Sequence, residues 1–397
     1  MLSETSKPII AATLPVVGEN LSAIVDVFYD SMLGENPQLL NLFNRSAQAS
    51  GEQRRSLAGS VALYAATLVG QGPGVDVMDQ MIERVAHRHA ALGIHPEQYA
   101  IVGKYLLGAV VTVLGEAVTP EVGAAWHEVY GLFEARLVSR EARLYAEAGV
   151  SADDPWRAYR VAGKVAEAAD TVSLLLKPVD GRGVPEFRAG QYVSVTVELP
   201  GGGQQIRQYS LSRAGETDHL RITVKRVRGR NGAPDGVVST LLHDAVQVND
   251  VLRVSQPYGD LALADGESPI VLVSAGIGIT PMVAMLDHVA TAQPGRAVTV
   301  VHADRSPSSH ALQADVADNA VRLEEFESLL WYEDPADADA REGFVDPDAI
   351  PVPDGADVYL CGPVAFMTSV RENLEGRGVP SERIKWEVFG SQQYRAA

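Results

Sequence analysis

Four histidines lie in the first part of the chain: His87, His89, His95 and His127. Helical phase separates them. Met78, Ile82, Val85, His89 and Leu92 recur at three- and four-residue spacing, the mark of one buried helix face. His87 stands two residues away, about 200° round the helix, and is expected to face outward. His95 precedes Pro96 and reads as a helix-start residue. Taken alone, an inward histidine is more often a satisfied core residue than a metal ligand. Glu141 changes that weighting. It sits on an apolar stripe between Leu137 and Leu144, where an unpaired carboxylate costs several kcal/mol. Arg140 and Arg143 flank it and should point elsewhere. Tyr99, in the helix opening at Pro96, offers a hydroxyl. One arrangement accounts for all three residues: His89 ligates iron with one nitrogen and donates its other N–H to Glu141, which Tyr99 also holds. A carboxylate behind an imidazole strengthens its donation to the metal. Periodicity alone leaves a second reading open, with Glu141 exposed where the helix bends or ends.

Other constellations suit phosphate and planar rings. Arg207-Gln208-Tyr209-Ser210 supplies a guanidinium fit for pyrophosphate, a phenol ring and a hydroxyl; the plainer reading is a turn between strands. Gly236-Val-Val238-Ser239-Thr240 opens a helix over Thr240–Ala245, and free N–H groups at a helix start attract phosphate. Ala275-Gly276-Ile277-Gly278-Ile279-Thr280-Pro281 follows an apolar strand, with a helix expected from Pro281. Thr-Pro stands where a dinucleotide fingerprint has its third glycine. A tight strand-to-helix turn would also need glycines. Cys361-Gly362-Pro363 follows the strand Val358–Leu360, and Cys361 also suits a small buried position.

The elements around these residues change character along the chain. Residues from about 8 to 148 read as helical, with stripes such as Ile24, Val25, Phe28 and Met32, then Trp126, Val129, Tyr130 and Phe133. Ser151 to Pro155 reads as a linker. Short extended segments follow at Tyr159–Val165, Thr171–Pro178, Gln191–Leu199 and Leu220–Arg226, which suggests a small antiparallel barrel. From Pro269 strands alternate with helices: Ile270–Ser274, a helix, Ala297–Ala303, Asp357–Cys361, another helix. That is the pattern of a parallel sheet with crossover helices. The fold class expected is therefore multidomain: all-α over 1–147, an antiparallel β-barrel over 156–264, and an α/β domain over 268–397.

Composition narrows the classes. The chain has 397 residues, 46% hydrophobic and 21% charged, with a formal net charge of −18. A phosphate backbone requires a basic stripe, so no nucleic acid partner is expected. The single cysteine, Cys361, has no internal disulfide partner. No stretch of about 18 uninterrupted apolar residues marks a membrane span. A cytoplasmic monomer without integral membrane association is the expectation.

The helical part resembles bacterial flavohaemoglobins. Phe28-Tyr29-Asp30, Asn41-Leu-Phe43-Asn44, Gln53-Arg-Arg-Ser-Leu57, His89, Pro96-Glu-Gln-Tyr99 and Arg140-Glu141-Ala142 stand in that family's order. The resemblance implies a globin binding haem b. Tyr29 and Gln53 would lie above the iron and hydrogen-bond dioxygen. Leu57 would shape the pocket, Phe43 would pack on the porphyrin, and His89 would be the proximal iron ligand, with Tyr99 and Glu141 behind it. Arg207 to Ser210 resembles the flavin motif of the ferredoxin reductase family, where Tyr209 stacks on the isoalloxazine and Ser210 lies near flavin N5. Gly190-Gln-Tyr192 would place Tyr192 against FAD, and Val238, Ser239 and Thr240 would hold its phosphate. The loop from Gly276 to Pro281 and the turn Cys361-Gly362-Pro363 would receive NAD(P)H. Glu387-Val388-Phe389-Gly390 resembles the segment whose aromatic ring covers the flavin, with Ser391 in place of a common proline. The stretch Arg228 to Asp235 lengthens the loop before Gly236.

Such a chain is expected to be a nitric oxide dioxygenase. Hydride from NAD(P)H would pass to FAD, and FAD, which accepts two electrons and releases them singly, would feed haem. Nitric oxide and dioxygen would be the small-molecule partners and nitrate the product. Two other readings stand beside it: a flavohaem oxidoreductase acting on peroxides or a small hydroxy acid, and a haem gas sensor or oxygen-binding protein. Intact Tyr29, Tyr99 and Glu141 argue against the first, and the complete reductase against the second. Arg305 and Ser306, after the second strand of the nucleotide domain, suit either a 2′-phosphate site or an exposed loop, so NADH and NADPH are both open.

Overall fold

A computed structural model gives the fold for residues 1–42, 52–199, 201–214, 218–229, 234–335 and 339–389, without the side chains of 52–56. The chain divides into two compact units: Met1–Trp156 with Glu198–Ile206, and Arg157–Val197 with Arg207–Ala397.

The first unit is helical. Its helices are α1 (Ser6–Glu19), α2 (Leu21–Glu35), α3 (Glu52–Leu68), α4 (Val75–Leu92), α5 (Pro96–Leu114) and α6 (Pro120–Glu147). Gly93 ends α4 in the left-handed conformation, φ 70°, where a side chain would be strained. Pro96 then starts α5 under a capping box between His95 and Gln98, which fixes where Tyr99 stands in its first turn. The stripe of α6 from Trp126 to Tyr145 is buried as its spacing implies, and Glu141 is buried with it. The segment Pro96–Ala117 has the length and apolar composition of a membrane span; here it packs along α2 and against α6.

Six strands, most of their residues in the second unit, form an antiparallel sheet: β1 (Trp156–Ala168), β2 (Thr171–Pro178), β3 (Tyr192–Glu198), β4 (Gln204–Ser210), β5 (Leu220–Lys225) and β6 (Val251–Ser255). Their order is β4-β3-β6-β1-β2-β5. The two edges meet just past β4: Leu211 bridges Ile222, and Ser212 N–H donates to Arg221 O at 2.9 Å. This contact closes the sheet into a barrel and leaves no open edge there. Val161, Leu174, Val193, Val195 and Ile222 fill its interior. Helix α7 (Val237–Asp244) opens three residues before the expected Thr240. Val237 and Val238, a β-branched pair, mask a helix start in sequence. The Lys164 ammonium donates to the carbonyls of His243 and Val246 at 2.6 and 2.7 Å, occupying carbonyls that the end of α7 leaves free.

A second six-stranded sheet is parallel. Its elements are β7 (Ile270–Ala275), α8 (Ile279–Ala292), β8 (Val298–Asp304), α9 (Gln313–Ala320), β9 (Phe326–Tyr332), β10 (Arg341–Glu342), β11 (Asp357–Cys361), α10 (Val364–Gly376) and β12 (Ile384–Glu387). The order β10-β9-β8-β7-β11-β12 reverses direction between β7 and β11. Ligands bind such sheets at that switch point, beyond the carboxyl ends of the strands. Helix α8 opens at Ile279, two residues before Pro281. The first turn tolerates proline because its N–H groups have no partner within the helix.

Candidate functional site

Around His89 three side chains converge. His89 Nδ1 lies 2.9 Å from Glu141 Oε1 and 2.7 Å from Tyr99 Oη. Tyr99 Oη donates to the same Oε1 at 2.5 Å. With the Tyr99 hydroxyl proton committed to Oε1, Nδ1 faces two acceptor oxygens; it therefore carries the ring proton, and Nε2 keeps a lone pair for a metal. Burial is graded: the Glu141 side chain is 3% exposed and that of His89 27%. Burial, then the charge of Glu141, pushes the Tyr99 hydroxyl far above its ordinary pKa, so it serves as a donor. Tyr130 Oη donates to Tyr99 O at 2.6 Å. A Cβ on Gly103 would stand 2.5 Å from the Tyr130 ring, so only glycine lets that ring lie against α5. Tyr130 was read only as part of the apolar stripe, and Gly103 escaped the sequence reading; a glycine inside a long apolar helix was the available signal.

Arg140 points away from Glu141, as expected. It grips Glu83 at 2.7 and 2.6 Å and reaches Glu147 at 3.2 Å. Its guanidinium, then His87, holds the Glu83 carboxyl down at about 2. His87 corrects an expectation. It is buried, 8% exposed, with Nε2 3.1 Å from Glu83 Oε1. Helix α4 lies against α6, so the flank carrying His87 is covered as well. A one-stripe phase argument misses a helix covered on two flanks.

Tyr29 on α2 is buried, edge-on to Phe28 with ring centroids 4.7 Å apart. Leu57 on α3 is half-buried. Phe43, Gly390, Ser391 and the side chain of Gln53 lie outside the described residues.

In the barrel, Arg207 to Ser210 form the end of β4 rather than a turn. Burial lowers the pKa of the Arg207 guanidinium and raises that of the Tyr209 phenol. Gln208 Nε2 donates to Ser194 Oγ at 3.0 Å. Ser210 Oγ and Thr240 Oγ1 are buried with no hydrogen-bond partner among the described residues. Such orphans are rare without a bound group, and a flavin dinucleotide would satisfy both. Ser239 Oγ accepts from Val227 N–H at 3.1 Å and donates to Gly236 O at 2.9 Å, pinning the loop to the start of α7. Val238 is buried in the barrel core. Tyr192 is buried, and a Cβ on Gly259 would come within 3.0 Å of its ring.

At the switch point the two loops touch backbone to backbone. A Cβ on Gly278 would fall 2.2 Å from Cys361 O, and one on Gly362 would fall 3.1 Å from Ala275 Cβ. Gly276 has φ +54° and opens toward Lys225 Nζ, 3.6 Å from its notional Cβ. Ile277 lies in the turn Gly276–Gly278, while Ile279, Thr280 and Pro281 form the first turn of α8 and are buried. Lys225, which the sequence reading also missed, adds a cation beside the helix start; a lysine closing the alternating strand Leu220 to Val224 was its signal. The loop and Lys225 together suit a pyrophosphate. Cys361 is fully buried; burial, then Glu387, pushes its thiol well up, so it packs rather than reacts. Pro363 caps α10. Glu387 ends β12 buried, Val388 packs on the sheet core, and Phe389 is 40% exposed. Asp304 accepts from Arg305 N–H and Ser309 Oγ at 2.7 and 2.8 Å; Ser306 bonds within its own serine turn, and Arg305 is exposed.

Three family models match in series: Globin over residues 26–137, Oxidoreductase FAD-binding domain over 158–263, and Oxidoreductase NAD-binding domain over 272–372. The Flavohemoprotein of Bordetella pertussis is 43% identical, covering 98% of this chain and 99% of its own length. The crystal structure of the flavohemoglobin from Malassezia yamatoensis, with bound FAD and heme, superposes with a TM-score of 0.89 at 34% identity, over 98% of this chain and 100% of that one. The flavohem-like FAD/NAD-binding domain of the nitric oxide dioxygenase from Vibrio cholerae is 36% identical, with a TM-score of 0.56, over 59% of this chain and 98% of that one.

Proposed function

Because the chain belongs to the flavohaemoprotein family, a globin joined to FAD- and NAD-binding oxidoreductase domains, we propose that it is a nitric oxide dioxygenase. It converts nitric oxide and dioxygen to nitrate with electrons from NAD(P)H, and works as a cytoplasmic monomer. The observation that carries this reading is the convergence of His89, Tyr99 and Glu141.

His89 would hold haem through Nε2, and haem, when bound, would supply the redox-active iron that this chemistry requires. Glu141 draws on the Nδ1–H and makes the imidazole a stronger donor. Tyr99 fixes the carboxylate through its hydrogen bond to Oε1. A protein that only stores oxygen has no use for such a donor set or for an attached reductase. Tyr29 and Gln53 would hydrogen-bond the gas, and Leu57 and Phe43 would bound its pocket, as the family resemblance implies. Ser210, Tyr209 and Arg207 orient FAD, Tyr192 flanks it, and Val238 to Thr240 take its phosphate. The loop Gly276–Pro281, Lys225 and the turn Cys361–Pro363 would position NAD(P)H, and Phe389, in the segment that begins at Glu387, would cover the flavin. The nitric oxide dioxygenase of Vibrio cholerae, whose reductase part is 36% identical, supports the reaction assignment.

The test is catalytic turnover of nitric oxide with oxygen and NAD(P)H present. Each nitric oxide needs one electron to leave as nitrate and each hydride carries two. The expected stoichiometry is thus about one NAD(P)H per two nitric oxide. Ser210→Ala should slow electron entry and leave the single-turnover reaction of oxygenated globin unchanged. NAD(P)H oxidation without nitrate would defeat the proposal and favour a peroxide- or hydroxy-acid-linked reaction.

A further inference from the structure

A cavity of about 240 Å³ runs along the face of α6 that carries Glu141. Val138, Ala142 and Tyr145 line it from that helix; Val138 and Tyr145, at the i−3 and i+4 positions, share the face of Glu141. Ile94 and Pro96 line it from the turn into α5. Glu141 also lines it and is 3% exposed. Its Oε1 is committed to His89 and Tyr99, while Oε2 takes no hydrogen bond among the described residues. No lysine or arginine among them pairs with it, for Arg140 is spent on Glu83 and Glu147. The site is thus a buried carboxylate, held by two hydrogen-bond donors, at the wall of a mostly apolar cavity that Ser151 also lines. A buried charge without a counter-charge draws one.

We propose that this cavity binds a small organic cation, a primary ammonium on an apolar body, with the ammonium on Glu141 Oε2. A cavity of about 150 Å³ accepts benzene, so this one has room for a six-carbon ring with a charged head. The apolar walls reject inorganic cations, which would shed their water without replacement ligands. The cation competes with His89 for the electron density of Glu141. Its binding is therefore coupled to the charge on the iron: it favours the ferrous state and raises the haem potential. That coupling rests on His89 being the iron ligand; the binding site itself does not.

The experiment uses the full-length, haem-loaded protein. Cyclohexylammonium is titrated into ferric and ferrous forms, with cyclohexanol as neutral isostere and ammonium chloride at matched ionic strength. Binding is read by calorimetry, and the haem by its Soret band and midpoint potential. Saturable binding of cyclohexylammonium is expected, about 5- to 150-fold tighter to the ferrous form, the usual range for coupled sites, and stronger than that of cyclohexanol. Ala146→Phe, at an exposed residue lining the cavity, should abolish binding with the Soret band in place. Glu141→Gln should make the ammonium and the alcohol equivalent. Equal binding of cyclohexanol to the unsubstituted protein, equal affinity in both oxidation states, or binding that survives Ala146→Phe overturns the proposal. Protein that folds and binds FAD but shows no Soret band refutes the iron-ligand assignment instead, and its calorimetry still judges the cavity.

Discussion

Two imidazoles on α4, two residues apart, differ in what they touch rather than in how deeply they lie. His87 is the more buried, 8% exposed, and spends its Nε2 on Glu83. His89 is more open and spends its Nδ1 on Tyr99 and Glu141, so its lone pair is on the outer nitrogen. A ligand must offer a lone pair on its outer nitrogen; Nε2 of His89 does, whereas Nε2 of His87 is spent on Glu83. His89→Ala should therefore yield protein with FAD and no stable haem, whose flavin is still reduced by NAD(P)H. His87→Ala should keep haem and lose about 1–3 kcal/mol of stability from a broken part-buried ion-pair network. The ratio of Soret to flavin absorbance in the purified variants decides; loss of the Soret band from His87→Ala would move the ligand. Glu141 was legible as an oddity on an apolar stripe, but its partner was not fixed until the fold brought Tyr99 from α5 against α6. The covered flank of His87 was not legible, because one periodic stripe cannot report a second neighbour.

Strands whose faces are both buried announce themselves by composition, and Thr171–Pro178 and Asp357–Cys361 have the same bounds in sequence and structure. Strand β4 does not: Gln204, Gln205, Arg207 and Gln208 give little apolar alternation, and it forms because β3 offers it a partner after the turn at Gly201–Gly203. Helix starts shifted by two or three residues for the local reasons seen at Val237 and Pro281. The glycine loop was legible as a loop, but not why each glycine is required. Gly276 needs its positive φ, while its Cβ would meet only the flexible end of Lys225. Gly278 has an ordinary φ of −61°, yet its Cβ would collide with the Cys361 carbonyl. Gly276→Ala should cost about 1–2 kcal/mol of backbone strain and slow flavin reduction mildly. Gly278→Ala must part β7 from β11 at the switch point, and should raise KM for NAD(P)H at least about tenfold, beyond the 1–3 kcal/mol of simple overpacking. Haem content and FAD content should persist in both. Stopped-flow bleaching of the flavin checks this, and equal effects from the two substitutions would count against a backbone-contact role for Gly278.

At the scale of the whole molecule, the net charge of −18 suggests that acid should at first relieve self-repulsion and stabilise the chain. Few ordinary carboxylates titrate above about pH 5, however, so another group governs the range below neutrality. His302 on β8 is fully buried and His310 nearly so, with ring centroids 4.2 Å apart. Each has one hydrogen-bonded nitrogen: His302 Nδ1 with Ser274 Oγ at 2.8 Å, His310 Nδ1 with Tyr332 Oη at 2.7 Å. Both Nε2 atoms are buried without a hydrogen-bond partner among the described residues, that of His302 lying 4.0 Å from Asp304 Oδ2. Burial pushes His310 down to about 4 and His302 well below its ordinary value, where Lys225 and the neighbouring ring add to the effect; Asp304 opposes the shift at His310. His243, lowered chiefly by burial, acts in the same sense. Folded pKa values below the unfolded one mean that the unfolded chain binds more protons, so stability is complete above about pH 6.5 and falls as pH drops toward 4. A gap of about 2.5 pH units at His310 alone is of order 3 kcal/mol. That exceeds the gain from relieving exposed charges, each pair of which contributes about 1 kcal/mol or less. Urea unfolding, followed by the fluorescence of released flavin, should show the midpoint level from pH 7.5 to about 6.5 and falling from there to pH 5. The His310→Gln variant should start lower at pH 7.5 and lose much of that slope, because one of the two titrating rings is gone while Lys225 and Asp304 are unchanged. A midpoint that rises between pH 7.5 and 5, or a slope untouched by the substitution, would show that repulsion among the surface carboxylates sets the acid response and that the histidine pair does not.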